Sequence, residues 1–368
     1  MSTTSPSDPA ELLLDLLAMP CETGEEGPIA DWLARRYRDE PVLRVGQSLV
    51  VGDGRGDRPL VLLVGHLDVV PPTPADLSPR RDGERIVGRG ASDMKGGLAV
   101  AMSCFEDAAL RAGPYELLLV AYAGEEGPHE SNELGKVLAA DARLATAALA
   151  IVLEPTDLAV QLGCLGGLHA KVTFSGRAAH SARPWQGENA LTKSGQFLAE
   201  LHERPPRDVT VDGLVYREVL SATQASTGGN VRNVVPDRFM VHLNYRFAPD
   251  KTPEQAVGQF SELVGRAAQV EIVDVAPAGR PWRDAPLVAR FLAVIGAPVE
   301  AKQAWTDVAR LSAAGIPALN YGPGLTAQAH QSGEYIPVEN LYRARVAITR
   351  FLDGGSKVQA TASAGGAT

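Results

Sequence analysis

The spacing of apolar residues changes character along the chain. At the start, Leu12, Leu13, Leu16 and Leu17 recur at helical intervals behind Asp8, which can cap a helix begun by Pro9 and ended by Pro20. A second helix is predicted from Glu25 to Tyr37. Short continuous apolar runs then appear at Val61–Val64, Leu117–Ala121 and Ala147–Leu153, with helical segments at Gly97–Ala112 and Asn132–Ala140 between them. Runs this short and this unbroken suit strands buried on both faces of an α/β sheet.

From Gly166 the pattern becomes strict alternation. Leu168, Ala170, Val172 and Phe174 share one face, and His169, Lys171, Thr173 and Ser175 the other, as in a strand with one wet side. A helix follows, with Ala190, Leu191, Ser194, Phe197, Leu198 and Leu201 on one stripe until Pro205-Pro206. Strands are predicted at Val219–Ser226 and Arg238–Phe247. Thr252-Pro-Glu-Gln255 then forms a capping box for the next helix, and a strand at Gln269–Val275 closes the series. The order βαββαβ is that of a ferredoxin-like module. After Pro281 the α/β pattern resumes, with a helix at Pro286–Ile295, a strand at Ile316–Asn320 and a helix at Val338–Leu352. The expected organisation is an α/β domain in two parts, 1–164 and 281–354, interrupted by an inserted α+β module, 165–280, and followed by a flexible tail, 355–368.

Composition narrows the function classes. With 45% apolar and 21% charged residues the 368-residue chain has the profile of a globular protein, and its net charge of −9 argues against a nucleic-acid partner. No apolar run is long enough to span a bilayer, and the Ser/Thr/Pro-rich start lacks the features of a secretory signal. Cys21, Cys104 and Cys164 are odd in number and widely spaced, so a disulfide framework is not indicated. A cytoplasmic location is expected.

The chemistry gathers at the ends of the predicted parallel strands, where α/β sheets hold their ligands. His66 ends the first run in Gly65-His-Leu-Asp68. Glu125 and Glu126 follow the second in Gly124-Glu-Glu-Gly127, and Glu154 ends the third. Asp93 lies in the glycine-flanked turn Gly88–Gly97, and His330 in the loop Gly322–Gly333. Each has an ordinary reading on its own: a core histidine, a turn aspartate, an exposed charge pair, a surface histidine. Together they form a borderline ligand set suited to zinc and tolerant of cobalt or manganese. Asp68 can orient His66, and whichever of Glu125 and Glu126 does not hold metal is free to act as a base.

These motifs, with Gly90-Ala-Ser-Asp93-Met-Lys-Gly96 and Glu154-Pro155, resemble the di-zinc M20 family of metallopeptidases and deacylases, over nearly the whole of Glu11 to Leu352. The segments Glu130–Gly135, Ala179–Arg183, Asn233–Pro236, Asn244–Asp250 and Ala304–Arg310 resemble its actinobacterial branch of N-succinyl-LL-2,6-diaminopimelate deacylases. The resemblance implies a di-zinc exopeptidase-like catalytic domain whose insert is a dimerisation lid. It implies two Zn2+ per subunit, which Co2+ or Mn2+ can replace. Asp93 would bridge the ions, with His66 and Glu154 completing one site and Glu126 and His330 the other.

It also implies a cis peptide between Asp93 and Met94, Glu125 as the general base, and His180 from the partner subunit's lid as oxyanion donor in a homodimer. The implied reaction releases succinate and LL-diaminopimelate for lysine and cell-wall synthesis. Arg183, Asn233, Arg246 and Arg310 are the candidate contacts to that small-molecule substrate. Acetylornithine or a dipeptide is the alternative substrate. Two departures from the shorter desuccinylases touch substrate contacts rather than metal ligands: Cys164-Leu-Gly-Gly167 where those have an arginine, and the altered register of Thr306–Arg310.

Overall fold

The computed structural model describes residues 6–19, 21–229, 231–265 and 268–355. Pro20, where the first helix was expected to end, and all of the expected tail except Gly355 lie outside that set. The chain divides into two compact units. One takes in the chain up to Gly163 with Pro281–Glu300 and the chain from Thr306; the other is Cys164–Arg280 with Ala301–Trp305.

The first unit is built on an eight-stranded sheet. Its centre is four parallel strands in the order Glu116–Tyr122, Leu60–His66, Leu149–Val152 and Ala318–Asn320. Every residue of Leu60–His66 is buried, as the unbroken apolar run requires. Leu62, Val64, Leu118, Val120, Ala150 and Val152 pack with Val308, Leu311 and Ile316 in one core cluster.

The first helix runs Pro9–Leu17, with Asp8 accepting from the Ala10 amide at 2.7 Å. Its C-terminal carbonyls are met by buried Lys95, whose Nζ donates to Leu16 O (3.0 Å) and Met19 O (2.9 Å), a favourable place for a cation at a helix end. The second helix starts later than expected, at Gly27; the Glu26 carboxylate before it caps nothing and accepts instead from Gly124 N and Gln47 Nε2. The predicted helix Gly97–Ala112 is two helices, Lys95–Phe105 and Ala108–Arg111, the second restarted by Asp107 capping Ala109. Gly97 allows the longer one to touch the sheet, since a Cβ there would sit 2.0 Å from Leu153 O.

The second unit has a five-stranded antiparallel sheet in the order Arg207–Val211, Leu214–Ser226, Arg238–Phe247, Gly166–Ser175, Gln269–Ala276. Without its first edge strand this is the ferredoxin-like arrangement that the βαββαβ reading predicts. Its apolar face, including Val172, Val241, Leu243 and Phe247, packs with Ala256 and Phe260 of the helix Pro253–Val264. The Thr252/Gln255 capping box is present. Ala301–Trp305 lies in this unit because Gln303 hydrogen-bonds both Arg217 N and Val215 O, and Trp305 Nε1 donates to Pro277 O. Among the described residues no helix is long and apolar enough to cross a membrane.

Candidate active site

All four parallel strands of the first unit point their carboxyl ends at one place. His66 is the last residue of its strand, Glu125 and Glu126 follow Glu116–Tyr122, and Glu154 follows Leu149–Val152. Asp93 comes from the turn between the strand Arg85–Val87 and the helix Lys95–Phe105, and its peptide to Met94 is cis. His330 reaches in from the loop after Ala318–Asn320 with a positive φ of 63°, a conformation uncommon for non-glycine residues though histidine is among those that adopt it most readily.

The two oxygens of Asp93 face different histidines. Oδ1 is 3.4 Å from His66 Nε2, and Oδ2 is 3.6 Å from His330 Nε2. Glu154 Oε1 stands 3.9 Å from His66 Nε2, and Glu126 Oε2 2.9 Å from His330 Nε2. Ligating atoms of His66, Asp93 and Glu126 all lie within 4.8 Å of one another.

The electrostatics of this group fit cations. His66 Nε2 is buried and makes no hydrogen bond among the described residues, although three carboxylates approach the ring. Burial opposes a charge on His66. The Asp93 carboxylate beside Nε2, at 3.4 Å, and the fields of Glu125, Glu154 and Asp68 outweigh it and hold its pKa well above the usual value. Desolvation raises the Glu126 pKa, and Asp93 adds to this while His66 and His330 oppose it. Glu125 is pushed well above the ordinary carboxylate range by desolvation, against the field of His66 and with the help of Glu154, Asp307 and Glu126. So many carboxylates around two imidazoles, with an orphaned buried nitrogen at the centre, make a donor set for divalent metal.

Asp68 does more than the sequence implies. His66 Nδ1 lies 3.0 Å from its backbone carbonyl and 3.6 Å from its carboxylate. The carboxylate instead accepts from the amides of Glu125 and Glu126, both at 3.0 Å, and from Thr23 Oγ1 at 2.9 Å. Asp68 therefore fastens the turn that carries both glutamates. Glu26 fastens the same turn through Gly124 N.

Of the other candidates, Arg310 is in the first unit, where its guanidinium donates to His129 and pairs with buried Asp307 at 2.9 Å. His180, Arg183, Asn233 and Arg246 belong to the second unit. His180 and Arg183 are exposed, and Asn233 accepts the Ser181 amide at its backbone carbonyl. Arg246 is half-buried on the wet face of the sheet, its guanidinium without a hydrogen bond or ion pair among the described residues, and desolvation lowers its pKa. Sequence reasoning missed Glu334, Arg89 and Asp76, all buried beside the Asp93 turn. Only Arg89 carries a signal, a charge inside the buried run Ile86–Ser92; Asp76 and Glu334 lie in polar loops.

An α/β sheet with an acid-rich, two-imidazole cluster at its carboxyl edge, and an α+β unit inserted in the chain, defines a metal-dependent hydrolase. The chain belongs to the peptidase family M20/M25/M40, which it matches over residues 62–354. It is 38% identical to a provisionally named succinyl-diaminopimelate desuccinylase, DapE, of Mycobacterium tuberculosis, covering 94% of this chain and 98% of that one. It is 34% identical to the succinyl-diaminopimelate desuccinylase of Corynebacterium glutamicum, over 94% and 96%. Among solved structures, aminopeptidase PepT of Bacillus cereus has the same fold, with TM-score 0.75 at 19% identity over 97% of this chain and 100% of that one. So has the YxeP protein of Bacillus subtilis, described as a dinuclear metal-binding peptidase of the M20 family, with TM-score 0.64 at 16% identity over 94% and 96%.

Proposed function

We propose that this chain is a two-metal amidohydrolase that cleaves N-succinyl-LL-2,6-diaminopimelate to succinate and LL-diaminopimelate. The observation that carries the metal chemistry is Asp93, whose two oxygens face two separate histidines, each with its own glutamate. In this reading Asp93 would serve both ions. His66 and Glu154 would hold one, Glu126 and His330 the other, and zinc is the metal that best suits the set. When bound, the ions supply Lewis-acid polarisation of the amide carbonyl and a lowered pKa for the attacking water.

The chain's own groups do the rest. Glu125 takes the proton of the water on its carboxylate and gives it to the departing amine nitrogen. The carboxyl group that has taken that proton is itself the acid for the return step. Asp68 and Glu26 keep the turn in register by holding its amides.

The substrate choice is supported by the names of the two relatives and by the charge it demands. Three carboxylates surround the scissile amide, and guanidinium matches carboxylate in two-pronged geometry. Arg246 is the strongest candidate, being half-buried and without a counter-charge; Arg183 and Asn233 are exposed neighbours in sequence motifs of the same unit. Arg310 is engaged with Asp307 and His129, so any part it takes in binding is shared with that network. On the zinc-loaded enzyme, kcat/KM for the succinylated substrate should exceed that for N-acetylornithine or a free dipeptide by about 100-fold or more. Preference for acetylornithine would remove the substrate assignment and leave the metal mechanism in place.

The second unit acts in this proposal as the lid of a homodimer, lending His180 across the interface to stabilise the oxyanion. Mixing His180→Ala chains with Glu125→Gln chains should then restore activity, because only hybrid dimers contain a site with both groups. Two inactive parents that stay inactive after proven subunit exchange would refute catalysis in trans.

A further inference from the structure

The Asp93 turn and the His330 loop meet at a buried charge cluster that touches no reacting atom. Glu334, fully buried, spends both oxygens on the Asp93 turn. Oε1 accepts from Ser92 N (2.7 Å) and Asp93 N (2.9 Å), and Oε2 from Gly90 N (2.9 Å) and Arg89 Nη1 (3.0 Å). Arg89 Nη2 continues to Asp76 Oδ2 at 3.0 Å, and Nη1 also donates to Gln331 O at 3.1 Å. Asp76 Oδ1 closes the circuit by accepting from Gly333 N (2.8 Å) and Glu334 N (3.1 Å).

Buried ion pairs are weak sources of stability, since desolvation offsets much of their attraction. What this one supplies is direction. A carboxylate that accepts from three backbone amides of one turn, and from the Arg89 guanidinium beside it, fixes that turn, and here the same residue lies four positions after His330 in the chain.

We propose that Glu334, with Arg89 and Asp76, is the positioning device that sets the spacing of Asp93 and His330, and thereby the affinity of the metal site those two residues share. The inference rests on the two-metal reading above. The His66–Glu154 site depends on it less, because His66 ends one strand and Glu154 follows another by two residues, so the cluster reaches that site only through Asp93. Asp93→Asn would harm both sites, whereas loss of Glu334 should harm mainly one.

The test is a Co(II) titration of the metal-free full-length protein, followed by visible absorption and chelator competition, with far-UV circular dichroism showing that each variant is folded at the titration temperature. Wild type should bind two ions. In Glu334→Gln one ion should bind about 10–100-fold less tightly, as loss of an outer-shell partner typically produces, and the other within about three-fold of wild type. kcat should fall with KM little changed. Glu334→Asp, which keeps the charge with a shorter reach, should recover part of the lost affinity. Arg89→Lys, which keeps the cation and loses the two-way fork, should weaken the same ion and serves as the probe if Glu334→Gln does not fold. A folded Glu334→Gln or Arg89→Lys protein that binds both ions as wild type does would overturn the proposal. Wild-type protein taking up fewer than two ions would instead overturn the two-metal reading on which it rests.

Discussion

Glu125→Gln should bind metal as the wild type does and turn over about 10²–10⁴-fold more slowly, the range typical of a lost general acid–base. The amide cannot take a proton from water, yet it keeps the shape of the side chain. The turn should hold, because its fastening to Asp68 runs through the backbone amides of Glu125 and Glu126, which the substitution leaves untouched. The loss should appear in kcat more than in KM, since the base acts on the reaction and not on binding. Steady-state kinetics beside metal analysis reads both. A variant that loses metal together with activity would make Glu125 a ligand and require the roles of Glu125 and Glu126 to be exchanged.

Asp93→Asn has the broader effect. Its oxygens stand 3.4 Å from His66 Nε2 and 3.6 Å from His330 Nε2, so one substitution reaches both halves of the cluster. An amide offers a single neutral acceptor in place of two charged ones. Both ions should weaken by more than about 100-fold, beyond what loss of an outer-shell partner costs. Calorimetric titration of metal-free protein measures this. Weakening of one ion alone would show that Asp93 serves a single site and would leave the bridge without support.

The cluster was legible in the sequence because buried parallel strands announce their own ends. Unbroken apolar runs such as Val61–Val64 and Leu117–Ala121 cannot continue into His66 or Glu125 without a change of environment, and in an α/β sheet that change is the ligand-binding edge. Asp93 and His330 were readable only as members of that company, since each sits in a loop with no period. The second unit was visible through alternation, and its strands Gly166–Ser175 and Arg238–Phe247 pair along their full lengths.

What escaped was local or non-local in particular ways. The edge strand Arg207–Val211 follows a Pro-Pro pair that reads as a stop. Yet Asp212 and Gly213, both with positive φ, form the two-residue turn that closes it onto Leu214–Ser226. An Asp-Gly between apolar residues was the available signal. Glu334, Arg89 and Asp76 had none of comparable strength. Their function lies in which backbone amides they meet, and Asp76 and Glu334 are drawn together from opposite ends of the chain only when the strands Arg85–Val87 and Tyr335–Pro337 pair.

The most direct test of the account is the metal content of three proteins prepared side by side: wild type, Glu125→Gln and Asp93→Asn, each saturated with zinc, dialysed against metal-free buffer and counted by mass spectrometry. Two ions per chain in the first two and none in the third is the predicted result. A wild-type chain that retains no metal under conditions where it is folded would contradict the central claim.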